Sequence, residues 1–279
     1  MSKHLATRVE FLLQALLKRT TACPHCASTD TRVVKRKYRV VRVRECARCL
    51  LRFTDPIYQP WWQSDFYGAH YSEGDLTTEV PDAATLAQLR ASGYAATNKC
   101  FAPRIAALAA WAGRGSWLEL GSSWGYFLDQ ARTAGVAELR GIELSSPRRA
   151  YGCEHLELDL RADSGDFADQ IADLVYSSHV LEHFTDVGRI FGELKRLLKP
   201  GGVLLIEVPN LDWETLGDSC LYQLGAVHPI GYTRRFFERL LPTMGFVELC
   251  FPAAYDSLGT QAPADRSPTY LLVQARLAA

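Results

Sequence analysis

No apolar run in this chain of 279 residues reaches the roughly 18 residues that a membrane-spanning helix needs. The N-terminus also lacks the small-residue cleavage site and the flanks of a signal peptide. Both absences predict a cytoplasmic protein. Net charge is lacking too, since 31 Lys/Arg balance 31 Asp/Glu, but the balance hides an asymmetry. Residues 1–60 hold 13 basic and 4 acidic side chains (+9), and the remainder holds 18 and 27 (−9). A basic module is therefore joined to an acidic one. In a reducing cytosol the eight cysteines point to metal binding sooner than to disulfides.

What is present begins with Leu5, Val9, Leu12, Leu13, Leu16 and Leu17, which recur on a helical period. They predict an amphipathic helix over residues 1–20 that packs on the body or on a second copy, as in a homodimer. Cys23, Cys26, Cys46 and Cys49 then form C-x2-C-x19-C-x2-C. Each pair places two thiolates on one knuckle, and four thiolates close a tetrahedral site with no open position, the chemistry of structural zinc (Zn2+). A redox pair would need a thioredoxin-like context, which the sequence lacks. His25 is expected to be a solvated knuckle residue. Between the knuckles, Val33, Val40, Val41 and Val43 are interleaved with Lys35, Arg36, Lys37, Arg39 and Arg42. This predicts a β-hairpin that depends on its metal. Its basic face either pairs with the acidic body or docks an anion, whether nucleotide sugar, lipid pyrophosphate or nucleic acid. The predicted organisation is the helix, a zinc ribbon over 21–54, a connector over 55–81 rich in Pro, Gly and aromatic residues, and a larger unit over 82–279.

In the larger unit, Trp117 to Phe127 reads as strand, glycine turn and helix, and Gly141-Ile142-Glu143 as a second strand ending in a carboxylate. That is the nucleotide-binding half of a doubly wound, Rossmann-like α/β fold. Gly121 lets the strand turn sharply, and Gly125 lets the helix pack close. Glu143 lies about 20 residues on, where a carboxylate accepts ribose hydroxyls. A dinucleotide site would want G-x-G-x-x-G. Here Ser123 takes the middle position, Tyr126 the last, and Trp124 is bulky, so a pyrophosphate is poorly accommodated.

The turn Glu119-Leu120-Gly121-Ser122-Ser123-Trp124-Gly125 resembles motif I of the class I S-adenosylmethionine-dependent methyltransferases. Three further segments resemble that family in order: Asp173 to His183, its fourth strand and loop; Leu197 to Asn210, a helix end and fifth strand; and His228 to Phe237, the opening of its last helix. The layout is similar to zinc-ribbon methyltransferases of bacterial glycan and natural-product gene clusters. The resemblance implies a seven-stranded methyltransferase sheet behind a small N-terminal β ribbon. Its cofactor, S-adenosyl-L-methionine, would be held by Glu119, Gly121, Ser122, Gly125 and Glu143. Tyr67 or Tyr71 would cap the pocket, and Ser178 or His179 would lie beside the methionine part. Asp159, in a third strand expected over 155–160, would accept from the adenine amino group, with Asp163 and Asp166 as competitors. His183 would face the acceptor.

The remaining elements read as a helical stretch over 82–112 broken near Pro103, a fourth strand over 172–177, and a helix over 186–198 stopped by Lys199-Pro200-Gly201-Gly202. A fifth strand over 203–208 and a long connection over 209–232 follow. The connection carries Trp213, Tyr222 and His228 and is read as an acceptor-site lid. His179-Val180-Leu181-Glu182-His183 also matches a zinc-peptidase pattern, which would need both histidines on one helix face over an open metal site.

Because a hydroxyl acceptor must lose a proton, His183 and His228 are the candidate general bases, with Glu182 orienting one of them. The reading is an O-methyltransferase acting on a small-molecule or glycan hydroxyl. C-methylation of a sugar nucleotide or natural product remains open. So does RNA base methylation through the basic ribbon, although no Asn/Asp-Pro-Pro-aromatic motif is present. A non-enzymatic scaffold is disfavoured by Gly121, Gly125 and Glu143.

Overall fold

The computed structural model describes residues 3–58, 79–95, 97–258 and 269–279. Tyr67, Tyr71 and most of the aromatic connector lie outside the described residues. Strands β1 (Thr31–Lys37), β2 (Val41–Cys46) and β3 (Arg52–Asp55) form an antiparallel meander beyond the helix Lys3–Leu17. Strands β4 (Ser116–Leu120), β5 (Glu138–Ile142), β6 (Asp159–Arg161), β7 (Ala172–Ser178) and β8 (Leu198–Pro209) follow. Then come the short β9 (Ile230–Gly231), β10 (Phe246–Cys250) and β11 (Tyr270–Leu277).

The large sheet has seven strands in the order β10-β11-β8-β7-β4-β5-β6. Neighbours from β8 to β6 run parallel, and β11 is antiparallel to both of its partners. Strand order reverses at β4, whose neighbours are β5 and β7, and ligands bind beyond the carboxyl ends of strands at such a switch point. All five residues of β4 are buried, as expected of a central strand covered on both faces. The helix Val187–Leu197 buries Val187, Ile190, Phe191, Leu194 and Leu197, a 3.6-residue stripe. Asp186 caps it by accepting from the Arg189 N–H.

Several sequence expectations shift. The third strand is β6, because the helix Ser146–Leu156 runs through His155 and a left-handed Glu157 ends it. The expected break near Pro103 is present: the helix Ala83–Ala91 ends, and Pro103 stands in the first turn of the helix Ala102–Ala112, where proline is tolerated. Lys199 to Gly202 belong to β8. Trp124 is fully buried, edge-on to Tyr126 and Tyr151, so it faces the core and does not crowd the turn.

The ribbon is welded to the larger unit. Strand β9 pairs antiparallel with β3, through Arg52 with Gly231 and Phe53 with Ile230, so the 209–232 connection completes the ribbon's sheet. Arg52 is 2% exposed. Its Nε donates to Glu45 (3.0 Å), one Nη to the Leu211 carbonyl (2.5 Å) and the other to Glu214 (2.7 and 2.9 Å). The guanidinium also lies 3.5 Å over the Trp213 ring. The first knuckle rests on the helix Val187–Leu197: the Val187 N–H donates to Pro24, and a Cβ on Gly188 would come within 2.9 Å of the His25 carbonyl. His25 is not a solvated knuckle residue, because its half-buried ring meets Phe236 edge-on at 5.6 Å. Arg239 donates to the second knuckle at Ala47 and Arg48. On the hairpin, Lys35 pairs with Asp218 at 2.7 Å and Lys37 donates to the Tyr222 and Leu224 carbonyls. Part of the basic face thus pairs with the acidic body.

The N-terminal helix seats Phe11 and Ala15 against Val41 and Tyr58, while Val9, Leu13, Leu16 and Leu17 stay exposed. Its end is tied to the ribbon through fully buried Asp55, which accepts from the Thr20 N–H (2.7 Å) and from Arg42 and Arg44 (2.9 Å each). Burial lifts this carboxyl, but the three donors outweigh burial and hold it below the ordinary value. A depressed pKa stabilises the fold above the unfolded value and loses that contribution as pH falls through the folded one. Asp55→Asn is therefore expected to cost about 3–5 kcal/mol at neutral pH, the usual cost of breaking a buried ion pair. Urea unfolding should show the gap from wild type closing below pH about 4. A gap that does not change with pH would dismiss the carboxylate's role.

Candidate active site

At the end of β4 the chain turns through Gly121 at φ +78°, and a Cβ there would come within 2.3 Å of Val180 Cγ2. Ser123 adopts φ +51° without being glycine. Gly125, at φ +91°, opens the helix Tyr126–Thr133, where a Cβ would meet Leu158 Cδ1 at 2.3 Å. Both glycines are therefore required by conformation and by space.

Beyond β5, Glu143 is 6% exposed. Its Oε2 accepts from the Ser123 N–H (2.8 Å) and its Oε1 from the Ser145 N–H (2.7 Å). Each carboxylate oxygen keeps a second acceptor direction, so the group is both fixed and able to take two hydroxyls. Burial raises its pKa, opposed by Ser145, Arg148, Ser123 and Arg149. Glu119 lies behind the turn, where burial first and the Glu143 charge second hold its carboxyl well above the ordinary range.

A cavity of about 660 Å³ opens over these ends, with Gly121, Glu143, Ser178, His179, Glu182, His183 and His228 all in its wall. Glu119, Ser122, Gly125 and Asp159 are not in the wall. Ser122 is buried with its hydroxyl unpartnered. Asp159 stands at the first residue of β6 and pairs with Arg161 at 2.9 Å. Because the strand sits later than expected, Asp163, just past its end, reaches the cavity instead. Sequence reasoning also missed Arg148, a 4% exposed arginine in the wall near Glu143. The available signal was its place one residue after the Ser146-Pro147 helix start. Glu207 was missed as well. This buried residue of β8 gathers Arg104 (2.7 Å), Ser178 (2.8 Å) and Tyr255 (2.6 Å).

In the same cavity wall, His179 has φ +55°, with ring nitrogens 3.5 Å from Glu182 and 3.9 Å from Glu207. His183 Nδ1 meets the Val227 carbonyl at 2.7 Å, and His228 Nδ1 meets the Gln223 carbonyl at 3.0 Å. A carbonyl only accepts, so in each contact Nδ1 carries the proton. The two rings meet edge to face at 4.5 Å. Burial pushes His183 down to about 4, which keeps it neutral at ordinary pH. In the 209–232 connection, only Val227 and His228 reach the cavity wall. Trp213 packs under Arg52, and Tyr222 is exposed.

A protein family described as "Methyltransferase domain" matches residues 90–250, more than half of the chain. The chain belongs to this methyltransferase family. Its sheet is that of class I S-adenosylmethionine-dependent methyltransferases. Among solved structures it is similar to phosphoethanolamine N-methyltransferase 2 of Haemonchus contortus in complex with S-adenosyl-L-methionine. The TM-score is 0.53 at 15% identity, over 69% of this chain and 57% of that one. It is also similar to the PH0226 protein of Pyrococcus horikoshii, with TM-score 0.50 at 15% identity over 75% and 98%. At such identities the likeness concerns the fold. Among curated relatives, a ubiquinone biosynthesis O-methyltransferase of Bradyrhizobium is 33% identical over 63 residues, 22% of this chain and 25% of that protein. The uncharacterized protein YafE of Escherichia coli is 36% identical over 103 residues, 37% and 45%. The matches thus span less than half of either relative.

The methyltransferase's four ribbon thiolates lie within 4.8 Å of one another. Cys23–Cys49, Cys26–Cys46 and Cys26–Cys49 are separated by 3.5, 3.6 and 3.9 Å. A zinc–thiolate tetrahedron with bonds of about 2.3 Å has edges of about 3.8 Å, so the donor set fits zinc. The cavity's size and its fixed carboxylate likewise fit an adenosyl ligand. Gly121→Ala should weaken S-adenosylhomocysteine binding by about tenfold or more, 1.4 kcal/mol, in calorimetry on the folded variant, with a lowered melting temperature from the strain at this position. Wild-type affinity in that variant would remove the turn from the binding surface.

Proposed function

We propose that the protein is an O-methyltransferase acting on a hydroxyl of a small-molecule acceptor, a sugar, glycan precursor or natural product, with a structural zinc in its ribbon. The observation that carries this reading is the His183–His228 pair beside buried Glu182, in the wall of the same cavity as Gly121 and Glu143. S-adenosyl-L-methionine, when bound, supplies a methyl group made electrophilic by its sulfonium. Glu143 accepts the ribose hydroxyls, and Ser178 and His179 flank the methionine part. His228 receives the acceptor's proton at Nε2, with Nδ1–H anchored on Gln223. His183, kept neutral by burial, orients the hydroxyl as an acceptor of hydrogen bonds. The negative charge of Glu182 favours the imidazolium that forms.

The O-methylation reading is also supported by ubiquinone biosynthesis O-methyltransferases among the partial relatives. RNA docking is less favoured, because Lys35 and Lys37 are engaged by the 209–232 connection.

With labelled cofactor and a panel of sugar and phenolic hydroxyls, His228→Ala is expected to lower turnover about 10²–10⁴-fold, the usual worth of a general base. Binding of S-adenosylhomocysteine should survive. Full turnover in both His228→Ala and His183→Ala would exclude the pair, and methyl found on carbon would move the reading to C-methylation. For the ribbon, Cys46→Ser is expected to lose one zinc per chain by elemental analysis and several degrees of melting temperature. Intact zinc content in that variant would argue against the four-thiolate site.

A further inference from the structure

We propose that Glu182, His183 and His228 form a binding site for a divalent first-row cation. One carboxylate oxygen and one ring nitrogen from each histidine lie within 4.8 Å of one another. Two imidazoles and a carboxylate that leave other positions open are a donor set for Zn2+, Mn2+ or Fe2+.

Three features of the surroundings point the same way. Glu182 is 1% exposed, and neither of its oxygens has a hydrogen-bond partner among the described residues. The His179 ring nitrogen 3.5 Å away does not meet hydrogen-bond geometry. A buried carboxylate left this way is costly unless a cation or a proton satisfies it. Next, both histidines give Nδ1–H to a backbone carbonyl. That is the supporting contact that orients metal-ligating histidines. Finally, all three residues line the same cavity as Gly121 and Glu143, so an ion held by them would be within reach of a ligand in that cavity.

The set differs from the H-x-x-E-H reading of the sequence. His179 and His183 do not act as the pair; His183 is joined by His228, which arrives from the 209–232 connection. The proposal rests on the reading of this face as the acceptor side only for its consequence. A cation here would take the acceptor's oxygen as a ligand and lower that hydroxyl's pKa, so that the proton passes to water; with the ion bound the two imidazoles serve as ligands, and without it they serve as the proton-accepting pair described above.

The test needs neither cofactor nor acceptor, so its result is separable from the O-methylation reading. Protein with its ribbon zinc-loaded is titrated with Mn2+ and followed by electron paramagnetic resonance, since four thiolates select zinc over manganese. One saturable Mn2+ per chain is expected, displaced by a second equivalent of Zn2+ in line with the Irving–Williams order. Glu182→Gln and His228→Ala should each weaken Mn2+ binding by about 10- to 100-fold, as loss of a supporting partner alone does. Thermal melts without added cation report whether each variant folds. If a variant does not fold, wild-type zinc stoichiometry decides, two equivalents supporting the site and one overturning it. Absence of saturable Mn2+ uptake, or folded variants that bind as wild type does, would also overturn it.

Discussion

The guanidinium of Arg52 is the contact on which the relation between ribbon and catalytic sheet depends. A charge this deeply buried persists only when its donors are used and its field is answered. Glu45 answers it from the ribbon, and Glu214 and the Leu211 carbonyl answer it from the 209–232 connection, with Trp213 stacked on its face. The connection is thereby pinned along β3, where β9 adds the last strand of the ribbon's sheet. Two residues before β9 stands His228. The small module therefore does more than decorate the chain: its folding fixes where one wall of the cavity runs.

The other wall follows from sheet topology. The reversal of strand order between β5 and β7 around β4 leaves a crevice. The glycine turn, Glu143 and the loop after β7 meet there because each ends a neighbouring strand. Buried acid groups recur around it and are handled differently. Glu143 is satisfied by two backbone N–H donors. Glu207 is saturated by Arg104, Ser178 and Tyr255. Glu119, with one oxygen unpartnered among the described residues, has its pKa pushed well up by burial and by the Glu143 charge. Glu182 has neither oxygen hydrogen-bonded among the described residues.

Where local chemistry dictates conformation, the residues were readable in advance. Glycines at 121 and 125, the carboxylate at 143 and the paired C-x2-C knuckles each act through their own backbone or near neighbours. Asp159 failed because strand limits are set by pairing register. A helix extended through Leu156 pushed β6 later and brought Asp163 into the wall. Arg148 and Glu207 were missed because nothing adjacent in sequence marks them. Their partners come from other strands and helices.

By itself, the sequence determined the doubly wound α/β sheet, the four-thiolate ribbon and the order of elements, because periodicity, turn residues and ligand spacing are local properties, and the resemblance of four segments implied the methyltransferase family. Only the tertiary structure decided that ribbon and catalytic unit share one core, that Trp213 packs under an arginine and not over an acceptor, and that His183 meets His228 beside Glu182. Those are contacts between residues up to 46 positions apart in the chain (182 to 228), or 161 apart for Arg52 and Trp213. Packing and the pairing of buried charge set them, and no local pattern encodes either.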